Sequence, residues 1–140
     1  MTAQELKGLK KMDEGGEAVI YDYRAGRVLK VFKSNVKLGA KEQKIAALIK
    51  LSLPGTVVAP KEAVTVNGKF VGYTMPKING AKTMHQLTKG KVLKATKTTN
   101  LDALEAVLRV GRTLQPLHQN GVVVGDLSDN NILYRGHDVF

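Results

Sequence analysis

The stretch EAVIYDYRAGRVLKVFK, residues 17–33, decides the fold because it contains two extended segments joined by a short turn. In both segments β-branched and aromatic residues alternate with polar ones, which is the pattern of half-buried strands. The tripeptide Arg24-Ala25-Gly26 separates them and predicts a hairpin turn. We therefore expect two antiparallel strands at 17–23 and 27–33.

Two adjacent glycines, Gly15 and Gly16, stand just before this hairpin, between two extended segments. Paired glycines let main-chain N–H groups approach a phosphate closely, as they do in glycine-rich nucleotide-binding loops. The same pair is also typical of an ordinary hairpin turn. Taken alone, the pair favours the ordinary turn, with the phosphate-binding loop as the alternative.

The chain after residue 33 predicts one helix and a second hairpin. The segment VKLGAKEQKIAALIKL (36–51) is rich in helix-forming residues, and SLPG (52–55) ends it. EAVTV (62–66) and KFVGYTM (69–75) flank Asn67-Gly68, the strongest short-range hairpin signal. Hairpins around a helix, followed by a helical second half, indicate an α+β fold with a segregated sheet.

A strand lysine and a helix glutamate are predicted to meet in the interior of this first half. By strand alternation, Lys30 shares the apolar face of its strand with Phe32. On the helix, Glu42 falls in the same apolar sector as Ile45. Because an interior ammonium requires an anion, we expect Lys30 and Glu42 to pair. The alternative is that Glu42 belongs to an exposed stripe with Lys41 and Lys44.

The second half of the chain predicts a long helix. Thr99 or Asn100 can cap its start, and Gly121 ends the helical region. One side of this helix carries apolar residues at helical spacing, and we expect that side to be buried. Its members are Leu101, Leu104, Leu108, Gly111, Leu114 and Leu117.

A loop with polar side chains follows this helix. Three consecutive valines at 122–124 predict a short buried strand, and Ile132-Leu133 resume the strand pattern. Between them lie Asp126 and Asn131, five positions apart. In isolation the segment reads either as an Asx-rich turn or as a functional loop whose ends two strands hold in place.

Composition limits the class of protein. At 140 residues with 43% hydrophobic content, the chain is one domain, or a large piece of one, with a real core. It has no cysteine for disulfides or Cys-based zinc sites, and its three histidines lack metal-ligand spacing. No apolar run reaches the roughly 18 residues of a membrane span, and no signal peptide is evident, so we expect a cytoplasmic protein.

The net charge of +10 favours anionic partners such as nucleotides, nucleic acid or acidic proteins. Only three Phe, four Tyr and no Trp are present. The chain therefore has few aromatic side chains on which single-stranded bases could stack, and nucleic acid is the less favoured partner.

The order of these features resembles the protein kinase superfamily, in particular its compact bacterial or phage-type members, over nearly the whole chain. The resemblance implies a sheet of about five antiparallel strands plus one helix, followed by a helical part and a catalytic-loop hairpin. It makes Gly15, Gly16 and Glu17 part of the glycine-rich loop, although Asp13 and Ala18 replace the outer glycines of the family motif.

The resemblance also assigns the charged residues. Lys30, in RVLK, would hold the α- and β-phosphates of ATP, and Glu42 would orient it. The segment GDLSDNN stands for the catalytic loop, where Asp126 would accept the proton of the substrate hydroxyl and Asn131 would bind Mg²⁺. Val124 and Gly125 replace the His and Arg of the family's motif.

The adenine of ATP is expected at the end of the strand that reads YTMPKI. By resemblance Met75 is the gatekeeper, Pro76 offers its carbonyl, and Ile78 offers its N–H. Residues 1–78 would then form the nucleotide-binding lobe, and 79–140 the start of a helical lobe. The chain reaches Phe140 before the family's D-F-G tripeptide, so we expect either a fragment or a shortened relative.

Three functions follow as expectations. The first is an ATP- and Mg²⁺-dependent kinase-like domain that transfers the γ-phosphoryl group to a Ser or Thr hydroxyl of a protein substrate. The second is a non-catalytic relative that binds a nucleotide or a protein partner for regulation. The third is a basic nucleic-acid-binding protein, which would bind with a steep salt dependence.

Overall fold

The computed structural model describes residues 1–24, 26–90, 94–95 and 97–140. Ala25, in the predicted turn of the first hairpin, lies outside the described residues. The chain divides into two compact units. The first is formed by Met1–Ser52 and Val58–Lys77, and the second by Leu53–Val57 and Ile78–Phe140. The fold is α+β, as expected.

The first unit contains a five-stranded antiparallel sheet in the order β1-β2-β3-β5-β4. Two helices accompany it, and one of them, α2, connects β3 to β4 along the chain. The elements are α1 (Ala3–Lys7), β1 (Lys11–Glu14), β2 (Ala18–Tyr23), β3 (Arg27–Phe32), α2 (Gly39–Ile49), β4 (Glu62–Val66) and β5 (Lys69–Pro76).

Local turn chemistry explains both predicted hairpins, which the structure confirms. Gly26 has φ +67 in the turn between β2 and β3, where Tyr23 pairs with Arg27. Asn67 and Gly68 have φ 49 and 79 between β4 and β5. Positive φ at two successive turn residues matches the twist of the flanking strands, and Asn-Gly tolerates it best.

The centre of the first sheet is tightly packed. Leu29 on β3 and Thr74 on β5 face each other in the register and are both fully buried. Gly72 lies two residues before Thr74 on β5, and a Cβ added there would lie 1.9 Å from the Lys30 carbonyl oxygen. Ile45 is the buried residue of α2. Glycine at 72 is therefore what lets β3 and β5 approach each other here.

The second unit has a three-stranded antiparallel sheet in the order β6-β7-β8 and two described helices. Its hydrophobic core is formed by Leu87, Ala106, Tyr134 and Val139. The elements are β6 (Lys82–Thr83), α3 (Met84–Leu87), α4 (Asn100–Gln119), β7 (Leu133–Arg135) and β8 (Asp138–Val139). None of the helices in the described part of the chain has the length and apolar character needed to cross a bilayer.

The long helix α4 has the predicted ends. Thr99 caps it, since its hydroxyl accepts a hydrogen bond from the Asp102 N–H while the Asp102 carboxylate accepts one from the Thr99 N–H. The helix ends at Gln119, two residues before Gly121 with φ +71. These ends depend on side-chain-to-backbone bonds close in sequence, which is why the sequence predicted them.

The predicted buried side of α4 is wrong for most of its length. Leu101, Leu104 and Leu108 are exposed, whereas Ala106 and Leu117 are buried. Apolar residues occur on both sides of this helix, so helical spacing alone did not distinguish the two sides. Packing of Ala106 with Tyr134 and Val139 decides which side faces the core of the unit.

The predicted strand at 122–124 is also wrong. This segment is irregular, and Val123 is 77% exposed. The Val122 N–H donates to the Leu117 carbonyl, which continues the end of α4 instead of starting a strand. The strand predicted to resume at 132–133 is confirmed in part, because β7 begins at Leu133.

Candidate functional site

Lys30 lies on the central strand of the five-stranded sheet, with Ile20 of β2 and Tyr73 of β5 beside it in the register. Its side chain is half-buried, and its Nζ lies 6.0 Å from the centre of the Tyr73 ring. Burial raises the pKa of Tyr73, so this ring stays neutral at physiological pH. Among the described residues, no ion pair within 4 Å engages the Lys30 ammonium.

Glu42 does not have the position predicted for it. It is exposed on α2, and no ion pair joins it to Lys30 in the described part of the chain. The carboxylate that pairs with α2 is instead Glu17, whose Oε2 accepts a hydrogen bond from Lys41 Nζ at 2.7 Å. The exposed-stripe alternative is confirmed for Glu42 and Lys44, which are exposed, whereas Lys41 is half-buried. Ile45 is the buried residue of α2.

The turn between β1 and β2 contains Gly15, Gly16 and Glu17, all exposed. The Gly15 N–H donates to the Ala18 carbonyl at 2.9 Å, which closes a compact hairpin turn. Lys41 lowers the pKa of the Glu17 carboxyl most strongly, and Lys30 lowers it further. Lys30 therefore contributes to the electrostatic potential at Glu17. The hydrogen bond from Gly15 to Ala18 is that of an ordinary hairpin turn.

The residues predicted to contact adenine follow one another at the end of β5. Met75 pairs with Val28 and Pro76 pairs with Arg27. By strand alternation, Met75 lies on the same face of the sheet as Lys30. The end of β5 is anchored by Lys77, whose N–H donates to the Gly26 carbonyl and whose Nζ binds Asp22 at 2.8 Å. Ile78 begins the longer of the two segments that form the second unit.

Asp126 and Asn131 are in direct contact within the second unit. The Asn131 side-chain amide donates to the Asp126 carboxylate at 2.9 Å and to the Asp126 carbonyl at 3.0 Å. The Asn131 N–H also donates to the Ser128 carbonyl at 3.0 Å. Both side chains are exposed, and the contact leaves the Asn131 Oδ1 and the second Asp126 oxygen outside these bonds.

His85 and Asp129 hold this loop, a contact that the sequence did not predict. The His85 N–H donates to the Asp129 carbonyl at 3.0 Å, and the His85 Nδ1 lies 3.0 Å from the Asp129 carboxylate. The Met84 N–H donates to the Ile132 carbonyl next to this contact. Because the two segments are separated by 44 positions, no local pattern could have indicated the pairing.

The oxygen atoms at this loop fit the coordination preferences of Mg²⁺. The ion takes few protein ligands, one or two carboxylates, and completes its octahedron with water and phosphate oxygens. Asp126 and Asn131 supply one carboxylate and one amide. Among the described residues, no group of three or more His, Cys, Asp or Glu side chains converges on one point. A Mg²⁺ ion at this loop would need water or phosphate oxygens for most of its ligands.

A cavity of about 370 Å³ lies elsewhere in the second unit. Its walls include Leu87, Asp102 and Tyr134, together with the cationic side chains of Lys82 and Arg135. None of the predicted site residues lines it.

No protein-family model matches the chain, and no characterised protein matches it in sequence.

Proposed function

We propose that the chain is a kinase-like ATP-binding protein whose chemistry is transfer of the γ-phosphoryl group to a Ser or Thr hydroxyl of a protein. The observation that carries this proposal is the half-buried Lys30 residue, whose ammonium has no ion-pair partner among the described residues. An unpaired lysine on the apolar face of a strand is suited to an anionic ligand. A phosphate group supplies that anion.

The surroundings of Lys30 support a nucleotide over a simple anion. Met75 lies on the same face of the sheet and offers an apolar contact for a base. The glycine-containing turn at 15–17 also carries Glu17, whose carboxyl pKa is lowered mainly by its hydrogen bond from Lys41 and to a smaller extent by the Lys30 charge. Glu42 has no part in this proposal, because its exposed position on α2 leaves Lys30 without it.

The proposed catalytic step uses Asp126 and Asn131. The Asp126 carboxylate orients the substrate hydroxyl and accepts its proton, while the hydroxyl oxygen attacks the γ-phosphorus and ADP leaves. The amide of Asn131 holds the Asp126 carboxylate in place at 2.9 Å. Bound Mg²⁺ would neutralise phosphate charge, with the Asn131 amide oxygen as its protein ligand.

Nucleotide binding is the first test. We expect ATP to bind to the purified chain in isothermal titration calorimetry, and Lys30→Met to weaken that binding on the order of tenfold through loss of a charged hydrogen bond. Lys69→Met is the matched control, because Lys69 is an exposed lysine at the far end of the same sheet. Equal ATP affinity in the two variants would reject the role of Lys30.

Phosphoryl transfer is the second test. With radiolabelled ATP and a protein substrate, Asp126→Asn is expected to reduce transfer by about 10²–10⁴-fold, the usual contribution of a positioned base. ATP binding with no transfer by the native chain would favour the non-catalytic regulatory alternative. Absence of ATP binding, together with salt-dependent binding to RNA or DNA, would favour the nucleic-acid alternative.

A further inference from the structure

An apolar stripe runs along the exposed side of α4. It consists of Leu101, Leu104, Val107 and Leu108, whose exposed fractions are 65, 58, 56 and 54%. Residues three, four and seven positions apart lie on one face of a helix, so these side chains form a continuous surface. Ala106, on the opposite side of the helix, is 2% exposed. The stripe therefore points away from the core of its own unit.

The charges of α4 are separated along its length. Asp102 and Glu105 lie in its first two turns, Arg109 lies at its middle, and Arg112 lies in its C-terminal half. These charges sum to zero, although the whole chain carries +10. Glu105 and Arg112 are exposed and lie on the same edge of the stripe, about 10 Å apart along the helix axis.

We propose that the stripe is the contact surface of a symmetric homodimer in which the α4 helices of two copies pack antiparallel. A two-fold axis near Leu108 brings Glu105 of each copy to Arg112 of the other. Parallel packing would instead bring like charges together. Symmetric pairing through one self-complementary patch is the commonest form of homo-oligomer, and antiparallel helices also align their dipoles favourably.

The shape of the stripe agrees with this arrangement. Leu108, next to the axis, packs against Leu108 of the second copy. Gly111 adjoins the stripe, and a Cβ built on it meets no atom within 4 Å. The space there accommodates Leu104 of the second copy. One helix face buries less surface area than a standard protein–protein interface. The dimer is therefore weak and forms only at high protein concentration.

Sedimentation equilibrium measures this association. From about 10 to about 500 µM, a range suited to a small interface, the mass is expected to rise from 15.2 kDa toward twice that value. Leu108→Glu should abolish the rise. Glu105→Arg and Arg112→Glu should each weaken association on the order of tenfold, because each places two like-charge pairs in the dimer.

Mixing the two charge variants gives the sharpest outcome. In an equimolar mixture, the arginine introduced by Glu105→Arg faces the glutamate introduced by Arg112→Glu, and the native Arg112 faces the native Glu105. The mixture should therefore associate as the native chain does. Glu42→Arg and Lys69→Glu repeat the two charge changes at exposed positions outside α4 and should associate normally. Far-UV circular dichroism confirms that every variant is folded.

Three results would overturn the proposal. The first is a native chain that stays monomeric through the whole concentration range. The second is normal association of Leu108→Glu or of both charge variants. The third is failure of the mixture to recover association, which would assign the stripe to an occupant other than a second copy packed in this way.

Discussion

At the scale of single residues, Gly72 is the glycine at which an added side chain would clash most severely. An added Cβ would lie 1.9 Å from the Lys30 carbonyl oxygen and 3.0 Å from the Val31 Cα, which are main-chain atoms of the neighbouring strand. We expect Gly72→Ala to lower the free energy of unfolding by about 3 kcal/mol, the upper range for overpacking. Urea unfolding measures the loss. Gly16→Ala is the control, because no atom lies within 4 Å of its Cβ position; equal midpoints would contradict the expectation.

At Thr74, in contrast, a substitution is expected to stabilise the fold. Its side chain is fully buried in the sheet, and its hydroxyl has no hydrogen-bond partner among the described residues. Thr74→Val keeps the shape and removes the desolvated hydroxyl, so we expect stabilisation of about 1 kcal/mol. Thr65→Val, at an exposed strand position, should change little. A lower melting temperature for Thr74→Val would show that the hydroxyl is satisfied in solution.

At the scale of elements, the start of α4 depends on one reciprocal contact. The Thr99 hydroxyl accepts from the Asp102 N–H at 3.2 Å, and the Asp102 carboxylate accepts from the Thr99 N–H at 2.7 Å. Hydrogen bonds from Thr99 lower the pKa of the Asp102 carboxyl. Thr99→Ala should cost about 1 kcal/mol, the usual loss of a helix cap. Thr99→Ser keeps the hydroxyl and should retain most of the stability measured by thermal unfolding.

At the scale of the whole molecule, lowered carboxyl pKa values set the response to acid. Lys11 and Lys33 lower the pKa of Glu14 to about 2, and Lys77 lowers the pKa of Asp22. A carboxyl with a lowered pKa in the folded state stabilises the fold above its unfolded value and loses that effect as the pH falls through the folded value. Stability should therefore decline between about pH 4.5 and pH 2.

Urea unfolding at a series of pH values tests this dependence. Glu14→Gln removes the titrating carboxyl and should flatten part of the decline between pH 4.5 and 2. A moderate salt concentration should reduce the same part, because these pairs are exposed to solvent and are screened. Identical pH profiles for the native chain and Glu14→Gln would show that Glu14 does not contribute.

The features that depend on neighbouring residues along the chain could be predicted from the amino-acid sequence. Hairpin turns at Gly26 and Asn67-Gly68 follow from the φ values that these residues tolerate. The cap at Thr99 follows from hydrogen bonds that span three residues. The helix at Gly39–Ile49 is also local in this sense, whereas the hydrogen bond between Asp126 and Asn131 was not predicted, although they are only five residues apart. In each case the physical cause lies within a few residues.

Tertiary structure alone decided which surfaces meet. Periodicity assigned Glu42 to an apolar sector, yet Glu42 is exposed, and the carboxylate that pairs with α2 is Glu17, through Lys41. Periodicity also failed to choose a side of α4, which is apolar on both, until Ala106 packed with Tyr134 and Val139. Helix and strand patterns fix which residues share a face; the free energy of packing against distant segments fixes which face is buried.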